Sequence, residues 1–284
     1  MSTQQTPMPE APHASGGLPS GYSSPIPVTP THLGHALASE WTKMKSVRST
    51  VWTLGVFVLL VVGIGLLAAV AVRNAGELDG QNPLTLGFFG LLLGMMCVMT
   101  LGVLTTASEY GTGMIRTTMT ACPSRGRVLA AKSIVFFVVA FVVTLATVSL
   151  VALIQTSMLE GNGTRTPSGA EWLKATLGIS LYIALLGLLS LLVGSMIRHS
   201  AGAITIMIGA VLAPLVIALF MNAGSLEKVQ QALLEYSIPS QMGVFYDNTL
   251  SHSGPSGWEP LWIMVGVTAA AFAGAYALLE SRDV

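Results

Sequence analysis

The sequence predicts an all-α polytopic membrane protein with six spans, and three observations predict it. Only 9% of the 284 residues are charged and 52% are hydrophobic, whereas soluble domains carry about 25% charged residues. The mean hydropathy is +0.70. Six stretches, Val51 to Val72, Pro83 to Ser108, Ser133 to Leu159, Ala175 to Ile197, Ser200 to Leu226 and Pro260 to Leu279, contain no Asp, Glu, Lys or Arg. Each supplies the roughly 20 apolar residues that a bilayer-spanning helix needs, and in hydrocarbon only a helix closes its own backbone hydrogen bonds. The expected spans are about 51–72, 84–107, 133–158, 175–197, 201–221 and 260–279.

Residues 1–34 precede them as an expected disordered cytoplasmic tail. Seven of the fourteen prolines fall before residue 31, with one charge at Glu10, so nothing there can form a core. Residues 35–284 form the expected six-span domain. The first apolar run starts near residue 51 and, at about 22 residues, exceeds a cleavable signal core, so it is expected to stay as an anchor.

Between tail and first span, "HALASEWTKMKSVRST" spaces Leu37, Trp41 and Met44 on a helical period, with Glu40, Lys43, Lys45 and Arg48 largely around the other sides. It reads either as a short basic amphipathic helix at the membrane surface or as a charged flank that only sets topology. Trp41 and Trp52 stand where interfacial aromatics would.

Between the second and third apolar runs lies "SEYGTGMIRTTMTACPSRGRVLAAK". Arg116, Arg125, Arg127 and Lys132 at mid-bilayer would cost about 2.5 to 3.5 kcal/mol each, so this connector must reach water or headgroups. Gly111 and Gly113 permit a turn. Met114, Ile115, Thr118, Met119 and Cys122 then fall on one face of a two-turn helix, which Pro123 should end and after which Ser124 could cap the next. The segment reads as a lever for a partner or as a basic loop that sets topology. With both termini cytoplasmic, nine Lys/Arg face inside (Lys43, Lys45, Arg48, Arg116, Arg125, Arg127, Lys132, Arg198, Arg282) and four outside (Arg73, Arg165, Lys174, Lys228), which is the positive-inside asymmetry. Cys97 and Cys122 are expected as free thiols, since one lies in a span and the other in the cytoplasmic connector.

Small residues recur at four-residue spacing inside the spans: Gly90 and Gly94, Ser190 and Gly194, Gly209 and Ala213, then Gly266, Ala270 and Gly274. Such rows let helix backbones approach. Pro214 should kink the fifth span. Past it, "SLEKVQQALLEY" has a helical period and is followed by "SIPSQMGVF", where Pro239 is expected to break the helix. The pair reads as a hairpin dipping into the outer leaflet or as a helix on its surface.

Much chemistry is excluded. The histidines are scattered, so no metal site is expected. No span carries an ionisable residue at its centre, as proton-coupled transporters usually do. There is no Gly-Lys dipeptide, hence no G-x-x-x-x-G-K-[ST] phosphate loop. The chain is expected to be no enzyme, to hold no cofactor and to bind no nucleic acid.

The lead-in "SEWTKMKSVRSTVW", the connector and the later "LLEYSIPSQMG", in this order around six spans, resemble the ABC-2-type permeases, the membrane subunits of ATP-binding-cassette exporters. The resemblance covers about residues 35 to 282. It implies that Glu109 to Thr120 is a coupling helix seated on a separate P-loop ATPase, with Glu109, Tyr110, Gly111, Thr112, Gly113, Arg116, Arg125 and Arg127 as its coupling residues. It implies that Leu37 to Val47 is an interface helix, with Trp41, Lys43, Lys45 and Arg48, and that Tyr236, Pro239, Ser240 and Gly243 belong to an outer re-entrant region. A second permease copy or a related permease, the lipid bilayer, a plasma-membrane location and ATP held by the partner are implied with it. The alternative is a membrane scaffold or regulatory protein without transport activity.

Overall fold

The computed structural model describes residues 32–75, 80–122, 124–161, 163–221, 226–248 and 253–281. The proposed tail up to residue 31, Pro123 and Arg282 lie outside the described residues. The described chain contains helices and turns and no strand.

Helix α1 is Leu33–Ser46 and α2 is Arg48–Ala75, separated by Val47 alone. A 3-10 turn, Pro83–Leu86, leads into α3, Gly87–Thr112; α4 is Met114–Ala121 and α5 is Arg125–Leu159. The fourth span is built of α6, Gly169–Leu173, a π-helical turn, Lys174–Gly178, and α7, Ile179–Ile197. Helices α8, Ser200–Phe220, α9, Glu227–Glu235, α10, Ile238–Val244, and α11, Glu259–Ser281, complete the described chain.

Among the described residues, six helical segments are long and apolar enough to cross a membrane: 48–75, 83–112, 125–159, 169–197, 200–220 and 259–281. Most are longer than the uncharged runs suggest. The third begins at Arg125, eight residues before the expected 133, because Arg127 and Lys132 are carried on the first turns of the same helix. Long basic side chains tolerate this near a span's end, where they reach polar partners or headgroups.

The second and fourth spans form the centre, with 61% and 67% of their most apolar stretch buried, against 22% or less for the first, fifth and sixth. Missing side chains make the close approaches: Gly90 and Gly94 of the second span receive the first span, and Gly102 receives the fourth. A Cβ on Gly90 would lie 2.7 Å from Val61 O, and one on Gly94 would meet Val61 and Phe57. Gly102 rests directly on the Gly187 carbonyl. Thr106 Oγ1 donates to Leu191 O across the same seam at 2.8 Å. Between apolar helices in lipid such close approach supplies the association that water-driven burial supplies elsewhere. By contrast Gly209 and Gly266 have nothing among the described residues within 4 Å of where a Cβ would stand, whereas Gly274, in the same row as Gly266, has Met196 Sδ at 3.8 Å. Leu59, Leu67, Leu219, Phe220 and Trp262 point outward at 69% exposure or more, as a hydrocarbon-facing surface requires.

Two details differ from the sequence pattern. Pro239 does not break a helix: α9 has already ended at Glu235, Ser237 accepts from Ser240 N, and Pro239 lies in the first turn of α10, where the missing N–H costs nothing. Gly111 still belongs to α3, and the turn after the second span is made by Gly113 alone, at φ 73° and ψ 2°.

Candidate functional site

The polar residues that the sequence concentrates in the connector converge with α1 at one end of the bundle. Glu40 on α1, Glu109 near the end of α3 and Lys132 on α5 are 3 to 4% exposed, and Lys43 joins them with its side chain 26% exposed. Lys132 Nζ donates to Glu40 Oε2 at 2.9 Å, to Glu109 Oε1 at 2.7 Å and to Thr105 O at 3.4 Å. Lys43 Nζ donates to Glu40 Oε1 at 2.7 Å, to Glu109 Oε1 at 3.1 Å and to Thr118 Oγ1, on α4, at 3.4 Å. Each ammonium has three donors and three acceptors. Two carboxylates balance two ammoniums, which is the condition for taking such groups out of water.

Burial pushes the Glu40 carboxyl up, but Lys132 and then Lys43 outweigh it and hold the group below the ordinary glutamate value. Burial likewise pushes Lys43 down, and its bonds to Glu40 and attraction to Glu109 outweigh that and raise it. Glu109 Oε2 is buried without a partner. A cavity of about 60 Å³ borders the cluster on the side of α1 and α2, between Met44, Val47, Leu101 and Leu104.

Helix α4 lies at this end, next to α3 and α5. The left-handed Gly113 closes α3, with its N–H on Tyr110 O at 3.3 Å, and starts α4 at once. Ile115 is the buried anchor of α4, while Met114, Arg116, Thr117 and Thr120 are exposed. Eight residues with one apolar side thus present a polar face away from the bundle.

Further contacts tie the neighbouring span ends. Arg125 Nη1 donates to Leu279 O near the end of α11 at 2.7 Å, a basic group on the carbonyls that a helix C-terminus leaves open. A Cβ on Gly126 would lie 2.6 Å from the Tyr276 ring. The guanidinium of Arg198, which caps α7 at φ 59°, lies 4.9 Å from the centre of the Tyr110 ring.

The residues expected as coupling residues therefore separate. Arg116 faces outward, as do Gly111, Thr112 and Gly113; Glu109 is turned into the cluster; Tyr110 and Arg125 brace other spans. Arg127 is partly buried. The expected interface-helix residues split as well: Lys43 points into the cluster, Lys45 lies 4.7 Å over the Trp41 ring, and Trp41 and Arg48 are exposed. The sequence pattern puts Glu40 among the polar residues around the sides of α1 and Lys132 among the basic residues before the third span, and neither stands out there as a buried site residue. Glu40 recurs at i−3 from Lys43, a pairing signal on a helix, but nothing local says that its carboxylate is buried.

At the opposite end, Phe245 lies 5.8 Å from Tyr182 and 6.3 Å from Trp258, ring centre to ring centre, and packs on Gly178 of the π-helical turn. Tyr182 donates to Gln241 Oε1 at 3.4 Å. Pro239, Ser240 and Gly243 are buried here and Tyr236 is exposed. Gln155 Nε2 donates to Gly65 O at 2.9 Å, linking the third span to the first.

Compared with known families, residues 36–214, more than half of the chain, match the family described as ABC-2 family transporter protein. No curated protein matches the chain.

Proposed function

The chain belongs to the ABC-2 family of transporter proteins and is a multi-pass permease of the ABC transporter type; on that premise we propose that it is the membrane subunit of an exporter driven by a separate P-loop ATPase. The observation that carries this reading is α4. It is a short helix set between the second and third spans, anchored by Ile115 and exposing Arg116, Thr117 and Thr120. Seated in a groove of the ATPase, it would receive the motion of nucleotide-driven closure and pass it to the spans. The transition would be a rigid-body rocking of the kind packed helices permit.

In this reading ATP is held by the partner alone, and Glu109, Tyr110, Gly113 and Arg125 position α4 rather than touch the ATPase. Both termini face the cytoplasm of a plasma-membrane protein, supported by the nine-to-four excess of Lys/Arg on that side. Trp41, Lys45 and Arg48 rest at the headgroups. The α9–α10 pair, with Tyr236, Pro239, Ser240 and Gly243, dips into the outer leaflet. A second permease copy completes the pathway, and the open positions at Gly209 and Gly266 offer it close-packing surfaces.

The test is co-purification from native membranes. The intact chain should bring down a P-loop ATPase, and Arg116→Glu should weaken that association while leaving thermal stability in place. An Arg116→Glu chain that retains the ATPase fully would remove α4 from the docking surface, and an intact chain that retains none would sink the ATPase-driven reading.

A further inference from the structure

We infer that Glu40 and Lys132 are positioning residues that bolt α1 to the third span, so that a displacement of α4 reaches the first span through α1. The inference rests on the reading of α4 as the ATPase-coupling segment.

Sequence continuity would attach α1 to α2, yet α1 packs chiefly against α5 and little against α2. Val47, at φ −79° and ψ 114°, is the one non-helical residue between the two helices, so α1 and α2 are separate bodies with a single-residue joint. Besides the apolar contacts that Met44 and Leu37 make with the core, α1 is tied to α5 by an ion pair. Glu40 is the only carboxylate in α1, it is 4% exposed, and Lys132 reaches it at 2.9 Å. Lys43 extends the same cluster from α1 to Glu109 on α3 and to Thr118 on α4.

Parting α1 from α5 would take Glu40 and Lys132, each nearly fully buried, away from their main charge partners, and breaking a buried pair is costly. Rotation about one residue has no such cost. When α4 and the start of α5 move, α1 therefore moves with them, and the change is taken up at Val47 against the first span. Lys132 has its three donors on Glu40, Glu109 and the Thr105 carbonyl, so it holds α1 and the end of α3 at once.

The variant that tests this is Glu40→Leu/Lys132→Met. It removes one charge of each sign and leaves Lys43 and Glu109 as a balanced pair 3.1 Å apart, so the fold survives. Spin labels at Thr42→Cys with Ile134→Cys report α1 to α5, and Thr42→Cys with Leu59→Cys report α1 to α2, both in a Cys97→Ser/Cys122→Ser background. The full chain is measured in complex with its ATPase, with and without ATP.

In the otherwise unmodified chain the α1–α5 distance should stay narrow and unmoved by ATP while the α1–α2 distance shifts. In the double variant, with the ATPase still bound, the α1–α5 distribution should broaden and the nucleotide-dependent α1–α2 shift should be lost. An α1–α5 distance that moves with ATP in the unmodified chain would overturn the bolt, and so would an unchanged response in the double variant. If no ATPase associates, the coupling reading fails on its own, and the nucleotide-free α1–α5 width still decides whether the pair binds α1: broadening in the variant supports it, and equal widths sink it.

Discussion

Lys132 Nζ lies 2.7 Å from Glu109 Oε1, and this pair, from the third span to the second, closes a cluster in which no ammonium donor is left over. Removing one member leaves its partner charged and buried. Lys132→Met, with Glu40 and Glu109 then sharing only Lys43, is expected to cost about 3 to 5 kcal/mol, read as a lowered midpoint in denaturant unfolding of the detergent-purified chain. A loss below about 1 kcal/mol would mean that water enters and screens the cluster.

The pH dependence follows from the two groups outside the spans. Glu40 is held below 4.5, so its contribution is present above that value and is lost as pH falls through its lower folded pKa. Lys43 is raised above 10.5, so its contribution is complete below that value and is lost as pH rises through the folded one. Melting temperature should therefore stay level between these limits. Glu40→Gln should remove part of the acid-side fall, which a pH series of melts on both chains would show.

The glycine rows should divide by position. Gly102→Val drives a side chain into the Gly187 carbonyl and should destabilise by at least about 1 to 3 kcal/mol. Gly209→Ala and Gly266→Ala meet nothing within 4 Å and should be neutral or stabilising by up to about 1 kcal/mol. Equal losses at all three sites, measured by thermal melts of the monomeric chain in detergent, would contradict the packing described.

Gly113 makes the turn into α4 at φ 73°. Gly113→Ala should cost about 1 to 2 kcal/mol and, by tilting α4, weaken ATPase co-purification more than Gly111→Ala, which sits in helix with open space around it. Indistinguishable co-purification by the two variants would place the turn outside the docking geometry.

How much of this was legible varies by element, for physical reasons. The six spans could be read because hydrocarbon imposes one rule on every residue of a long run: no charge, and backbone bonds closed within the helix. Helix α4 could be read because its apolar face repeats within two turns, and α1 could be read as a helix for the same reason. The start of the third span shifted because Lys132 finds polar partners in Glu40, Glu109 and the Thr105 carbonyl, so charge does not end the third helix. The break in the outer segment was misplaced because proline is disfavoured inside a helix yet welcome in its first turn.

The sequence by itself determined that this is a six-span helical bundle, with α4 outside it and no phosphate loop of its own, since those features depend on local composition and short-range period. Only the tertiary structure decided which charges face one another. Glu40 and Lys132 are 92 residues apart, and each alone looks like a surface group beside a membrane. Their burial becomes tolerable only when the other is brought within 3 Å, so their meaning is a property of the packed bundle and of no segment within it.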